Sequence, residues 1–191
     1  PAATSCRINA SAAHGTPTKE ALRLAITTVN GTCWRSLQGF LANCGSHIIC
    51  VQEHKLDTDA KIAAASEWFL AHGWKSQAGT AAPSSVGGEP SGGVAILVRK
   101  EFGLGKGGDF LRASARTVAV KVDIPDVRRL LVVSAYFKTS IGPRGTNLDL
   151  LQRTGKATGA SDGPTVVGAD FNTTPHPTSG PQRAQKMTAS L

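Results

Sequence analysis

Five side chains stand out for their type and position: Asn30, Glu53, Tyr136, Asp170 and Asn172. Each closes or follows a short apolar run: LRLAITTV before Asn30, HIICVQ before Glu53, RLLVVSAYF around Tyr136, and TVVGA before Asp170-Phe171-Asn172. Side chains at the ends of neighbouring core strands converge on one rim of a sheet, where a rigid scaffold holds them in fixed geometry. Two carboxylates and two amides are hard oxygen donors, which suit Mg2+ or Mn2+ and not zinc. Magnesium held by one or two carboxylates, with its waters retained, is an arrangement used for phosphate chemistry. Taken singly, each residue has a plainer reading. Glu53 is then a solvated strand end, and Asp170 and Asn172 belong to an Asx-type turn between Gly168 and Pro175. Tyr136 is a core aromatic with a satisfied hydroxyl, and Asn30-Gly31 is a turn. Their joint occurrence at successive strand ends is what points to a site.

The elements that must position these groups follow from periodicity. Residues 1–19 are small and polar without a period, and read as a disordered lead-in. Leu22–Val29 alternates as a strand, and Trp34, Leu37 and Leu41 recur at helical spacing over Trp34–Asn43. His47–Gln52 is a continuous apolar run of the kind found in strands buried on both faces. Asp57 is placed to cap a helix that runs through Ile62, Trp68 and Phe69 to a Gly73 stop. Residues 78–93 read as a loop, as does Lys138–Asn147. Val94–Arg99, Thr117–Ile124 and Arg129–Phe137 read as strands, the last two joined by a hairpin-type turn at Pro125-Asp126. A weak helical segment covers Leu148–Lys156, and Thr165–Val167 is a final strand. Residues 176–191 read as an irregular tail. The run Gly103–Gly108 formally satisfies GxGxxG, but no long helical pattern follows it, so it reads as a loop between strands.

The series ITTVNGTCW, IICVQEHKL, SGGVAILVRK (91–100), RTVAVKV (116–122), LLVVSAYF and VVGADFNTTP resembles the endonuclease/exonuclease/phosphatase superfamily. This is the DNase I-like group that includes apurinic-site endonucleases and the endonuclease domains of non-LTR retrotransposons. The resemblance covers residues 22–175, so 20–175 reads as a partial domain, its N-terminal portion. It implies an α/β fold, a DNase I-like four-layer α/β/β/α sandwich, incomplete at its C-terminal side. It further implies that Glu53 ligates a catalytic Mg2+ (or Mn2+) with Asn30 close by, and that Tyr136 contacts the scissile phosphate. Asp170 would orient or deprotonate the attacking water, and Asn172 would fix phosphate oxygens.

Three departures from the family pattern matter. Aligned on its glycine, the leading N-x-N-G-type motif puts Thr28 at the first Asn; aligned on the tryptophan, it puts Asn30 there. Ala169 replaces the glycine that usually precedes the aspartate. The family's late Ser-Asp-His motif has no counterpart, because only His176, between Pro175 and Pro177, follows Asn172. Loss of such an acid/base group costs on the order of 10²–10⁴-fold in rate. The expectation is therefore Mg-dependent phosphodiester hydrolysis on nucleic acid by a truncated retrotransposon-type domain. Two alternatives stand beside it: an inactive fragment binding nucleic acid through charge, and a branch hydrolysing a small phosphoester or phospholipid.

Composition bounds these readings. The chain has 191 residues with 21 Lys and Arg against 13 Asp and Glu, a net charge of +8 that favours polyanionic partners, DNA ahead of RNA. No apolar stretch is long enough for a membrane helix, and the first thirty residues lack the apolar centre of a secretory signal. Cys6, Cys33, Cys44 and Cys50 have no C-x-x-C spacing, which argues against a zinc site or disulfide scaffold and for a reducing, intracellular compartment, the nucleus included. The initial proline suggests processing or a fragment. Sequons begin at Asn9, Asn30 and Asn172, so glycan attachment would conflict with the site. No feature calls for an obligate protein partner.

Overall fold

Apolar runs and helical periods build twelve elements among the described residues of the computed structural model, which are 2–9, 23–83, 88–108, 111–125, 129–139 and 141–172. In chain order these are β1 (Ala2–Asn9), β2 (Arg23–Asn30), α1 (Trp34–Ala42), β3 (Ile48–Gln52), α2 (Asp59–Ala71), β4 (Trp74–Gly79), β5 (Val94–Arg99), β6 (Gly103–Lys106), β7 (Thr117–Asp123), β8 (Leu130–Tyr136), α3 (Gly145–Gly159) and β9 (Thr165–Asp170). They form two sheets, ordered β1-β2-β3-β5-β4 and β6-β7-β8-β9.

The sheets face each other across one apolar core. Leu24, Ile26, Ile48, Cys50, Val94, Ile96 and Val98 of the first meet Val118, Val120, Val122, Leu130 and Val132 of the second. The outer face of the first sheet takes Leu37 and Leu41 of α1 together with Ala65 and Phe69 of α2. The outer face of the second takes Leu150 and Ala157 of α3. The result is the four-layer α/β/β/α sandwich.

Two parallel pairs position the polar strand ends. β2 lies parallel to β3 with α1 in the connection, and β8 lies parallel to β9 with α3 in the connection. Their registers set Asn30 opposite Gln52 and Tyr136 opposite Asp170, so each pair ends its strands level. Contacts of β9 with β2 and β3 bring the two carboxyl ends together. Such ends of parallel strands are where α/β sheets place their ligands.

The structure corrects several expectations. Ala2–Asn9, read as part of a disordered lead-in, is a strand paired antiparallel with β2 along its whole length. The backbone of an outermost strand supplies that pairing, and it needs no apolar pattern in the added segment. The cap of α2 is Thr58, whose hydroxyl accepts the Lys61 N–H at 3.2 Å; Asp57 instead pairs with Lys61 Nζ at 2.6 Å. β4 and β6 lie in segments without a strand pattern. β6 covers the first part of the glycine run, and a Cβ on Gly103 would come within 2.7 Å of the Asp123 carboxylate, so glycine lets it lie close on β7. α3 is longer than its apolar pattern suggested because buried Asn147, inside it, anchors the preceding loop. Its amide accepts from Lys138 N at 2.8 Å and donates to the carbonyls of Lys138 (3.0 Å) and Gly142 (2.9 Å). The remainder of 1–19, the Asp126 half of the expected hairpin turn, residues 173–175 and the expected tail 176–191 lie outside the described residues.

Candidate active site

The ends of β2, β3, β8 and β9 carry one connected polar cluster. Asn30 Nδ2 donates to Asp170 Oδ2 at 2.7 Å, a bond between the two sheets. Asn30 Oδ1 accepts from Thr32 N at 3.0 Å, which fixes the orientation of its amide. Asp170 Oδ1 accepts from Asn172 N at 3.0 Å, so both carboxylate oxygens are held. The Tyr136 hydroxyl donates to Glu53 Oε1, a second bond between the sheets. Asn172 Nδ2 donates to Phe137 O at 2.8 Å, pinning the turn after β9 to the end of β8.

A buried amide beneath this rim keeps the sheets in step. Gln52 accepts from Thr28 Oγ1 at 3.0 Å and donates to Ser134 Oγ at 3.0 Å and to Gly168 O at 3.3 Å. Ser134 Oγ in turn donates to Val51 O at 2.9 Å. One side chain thus ties together β2, β3, β8 and β9, with every polar atom satisfied in a dry interior. Gly168 permits the approach, since a Cβ there would sit 2.5 Å from Cys50 Cβ. Thr28 therefore belongs to the interior, and it is Asn30 whose side chain reaches Asp170.

Backbone strain is gathered at the same place. Among the described residues, the non-glycine positions with positive φ are Thr32 (51°), Glu53 (57°), Lys55 (58°) and Asn172 (46°). Each such residue costs of order 1 kcal/mol or more and persists only where its surroundings over-determine it, a pattern concentrated at functional sites. Thr32, Glu53 and Asn172 come just after the ends of β2, β3 and β9.

Electrostatics divide the titratable groups. Burial, and then the Glu53 carboxylate, push the Tyr136 phenol up to about 12, so it stays a neutral donor. Arg116 lies over the Tyr136 ring, its guanidinium carbon 5.3 Å from the centroid. His54, one residue beyond Glu53, is buried at 2% exposure. Its Nδ1 accepts from Leu56 N at 3.1 Å, and burial pushes its pKa down to about 4, leaving it neutral. The Cys50 thiol, expected inside, is buried and pushed up to about 12.

All five sequence-selected residues fall in this cluster. Arg116 and Ser134 join it without a sequence signal: Arg116 immediately precedes β7 as one of 21 basic residues, and Ser134 sits inside an apolar run. The donors suit a hard cation. Glu53 Oε2 carries no hydrogen bond among the described residues, and Asn30 Oδ1, which accepts from Thr32 N, keeps a second lone pair. No group of three or more His, Cys, Asp and Glu assembles among the described residues. One or two carboxylates with an amide oxygen match what Mg2+ takes while keeping its waters, and exclude a thiolate or imidazole site.

The fold is shared with known proteins. A sequence model of the endonuclease/exonuclease/phosphatase family matches residues 13–187. No curated protein matches the sequence. Among solved structures, a 3′ phosphatase from Neisseria, NExo, bound to a product DNA hairpin, is similar at 22% identity and a TM-score of 0.51, over 80% of this chain and 59% of that one. The endonuclease domain of TRAS1, a telomere-specific non-LTR retrotransposon, is similar at 13% identity and a TM-score of 0.50, over 78% and 59%. ANGEL2, a 2′,3′-cyclic phosphatase, is similar at 18% identity and a TM-score of 0.50, over 73% and 43%. These likenesses are of fold. The chain spans between 43% and 59% of the length of these three relatives.

Proposed function

The chain belongs to the endonuclease/exonuclease/phosphatase family, and from that premise we propose that the rim formed by Asn30, Glu53, Tyr136, Asp170 and Asn172 is a divalent-cation-dependent phosphodiesterase site acting on nucleic acid. The observation that carries this reading is the pair of bonds across the sandwich, Asn30 to Asp170 and Tyr136 to Glu53. They set two carboxylates, an amide and a phenol hydroxyl at one edge, and of these four residues it is Tyr136 whose ring also packs into the apolar core.

Glu53 Oε2 and Asn30 Oδ1 would hold Mg2+ or Mn2+, which when bound supplies neutralisation of charge on the phosphoryl oxygens. Asp170, oriented through both oxygens, accepts a hydrogen bond from the attacking water and takes its proton. Tyr136, kept protonated, donates to a phosphoryl oxygen once substrate displaces its bond to Glu53. Asn172, fixed by its left-handed backbone and by Phe137 O, closes the other side of the phosphate. No imidazole is assigned to protonate the leaving oxygen: His54 is neutral and buried, and no other histidine among the described residues bonds to the rim. The net charge of +8 supports a polyanionic substrate, and the family resemblance supports DNA and a retrotransposon-type lineage.

Nicking of supercoiled plasmid with Mg2+ or Mn2+ tests the proposal. Nicking by the wild-type chain, reduced at least about 10²-fold in Glu53→Ala and in Asp170→Ala, is the expected result. Nicking untouched by both substitutions refutes the site. A wild-type chain that binds plasmid and never nicks it is the charge-driven binder instead.

A further inference from the structure

A cavity of about 710 Å³ opens beside the rim, bordered by α1, by α2 and by the segment that follows β3. Its room comes from small side chains, since between Lys61 and Trp68 the wall from α2 consists of Ala64 and Ala65. Trp34 is its fixed aromatic surface. Two rings hold Trp34 edge-on, Trp68 at 5.7 Å and 81° and Phe69 at 5.3 Å and 84°, and no ring among the described residues lies face to face with it. Trp68 is already stacked on His72, with centroids 3.8 Å apart. Gln38, one turn along α1 from Trp34, is on the same wall, and its side-chain amide makes no hydrogen bond among the described residues. The charged side chains on the wall are all in ion pairs, Lys55 with Glu89 at 2.5 Å and Lys61 with Asp57 at 2.6 Å.

These features select the occupant. With its charges paired off, the cavity has no call for an anion. A half-buried tryptophan beside a free amide suits a flat, uncharged ring with donors and acceptors at its edge. An aliphatic chain would leave the amide unanswered. The cavity also borders the rim directly. Thr32 lines it while donating its N–H to Asn30 Oδ1 at 3.0 Å, and Lys55 lines it two residues after Glu53. We infer that this cavity is a base-binding subsite, in which a nucleobase neighbouring the phosphate at the rim stacks on Trp34 and bonds through its edge to Gln38. A base inside a duplex has its faces stacked and its edge paired, so the base that enters here is an unpaired one. This rests on the reading of the rim as a phosphoester site, and it narrows the substrate to nucleic acid with an unpaired nucleotide at that point.

The test compares two single-stranded probes by fluorescence anisotropy on the full chain with divalent metal chelated: a deoxyadenylate decamer, and the same decamer built of abasic deoxyribose phosphates. The two backbones carry equal charge, so attraction to the basic chain drops out of the affinity ratio. Wild type is expected to favour the base-bearing probe about tenfold. That preference should disappear in Trp34→Ala and in Ala64→Phe, which fills the cavity from an exposed position on α2, and persist in Trp34→Phe. Equal affinities in wild type overturn the inference, and so does a preference that survives Ala64→Phe. Should Trp34→Ala fail to fold, having lost its packing on Phe69, Ala64→Phe decides alone. The outcome is separate from nicking. A chain that favours bases through this cavity and never nicks plasmid upholds the subsite while the hydrolase reading fails. A chain that nicks with no preference for bases does the reverse.

Discussion

His54 stands one residue beyond Glu53, yet its ring is buried and its pKa is pushed down from 6.5 to about 4 by desolvation. An unfolded chain takes up that proton near 6.5 while the folded one refuses it until about 4, so the unfolded state binds more protons throughout this window. The contribution to stability is therefore complete above pH 6.5 and declines as pH falls toward 4. Urea midpoints at pH 7.5 and pH 5, both set by the experimenter, should show a larger drop for wild type than for His54→Gln, whose amide oxygen can still accept from Leu56 N. Equal drops would mean that His54 has no part in the pH dependence. At this scale the sequence was legible where a polar residue terminates an apolar run, as with Asn30, Glu53, Tyr136 and Asp170. It was silent where burial depends on what a segment distant in sequence lays over a residue. His54 is covered by the turn at Gly93, and Arg116 is clamped by the turn at Gly92 and by the end of β8, both far away in sequence.

The elements are held to ångström tolerance where β9 crosses β3. Gly168 has space for a hydrogen and no more, because a Cβ would meet Cys50 Cβ at 2.5 Å, Cys50 Sγ at 2.8 Å and Thr28 Oγ1 at 3.3 Å. These are buried backbone-proximal atoms, so the strands must separate. Gly168→Ala is expected to destabilise the chain by about 1–3 kcal/mol in urea melts, the usual penalty of overpacking. It should also loosen Asp170, two residues on, from Asn30. Retention of wild-type stability would mean the sheets slide freely there and that Gln52 does not lock them. Legibility follows the same geometry. β2, β3, β5, β7, β8 and β9 were readable because each is packed by apolar side chains. The unread strands β1, β4 and β6 are three of the four sheet edges. An edge strand is recruited by the unpaired backbone of its neighbour, and its own sequence can stay polar, as in WKSQAG, or glycine-rich, as in GLGK. β9 is the fourth edge, and it keeps an apolar run because its Val166 and Val167 pack on both faces.

For the molecule as a whole, the consequence is that the proposed site belongs to neither sheet alone. Glu53 and Asn30 come from the first sheet, Tyr136 and Asp170 from the second, and the core between them is apolar and carries no direction along the strands. Register between the sheets rests on the Gln52 bonds and on the rim itself. A ligand held by Glu53 and Asn30 binds the folded chain and not the unfolded one, because only the parallel pairing of β2 with β3 brings together donors that lie 23 residues apart in sequence. Mass action then raises the stability of the folded state by RT ln(1 + [L]/Kd), about 2.7 kcal/mol at a hundredfold excess over Kd. Mg2+ should accordingly raise the Tm of the wild-type chain in a concentration-dependent way, whether or not a substrate is turned over. In Glu53→Ala the rise should vanish, while in Lys100→Ala, a substitution on the turn after β5, it should persist. Potassium at matched ionic strength separates this from screening of the +8 net charge, which acts on all three chains alike. A Tm that rises equally in wild type and Glu53→Ala would assign the effect to the general charge, and a Tm that moves in none of them would leave the rim without its cation.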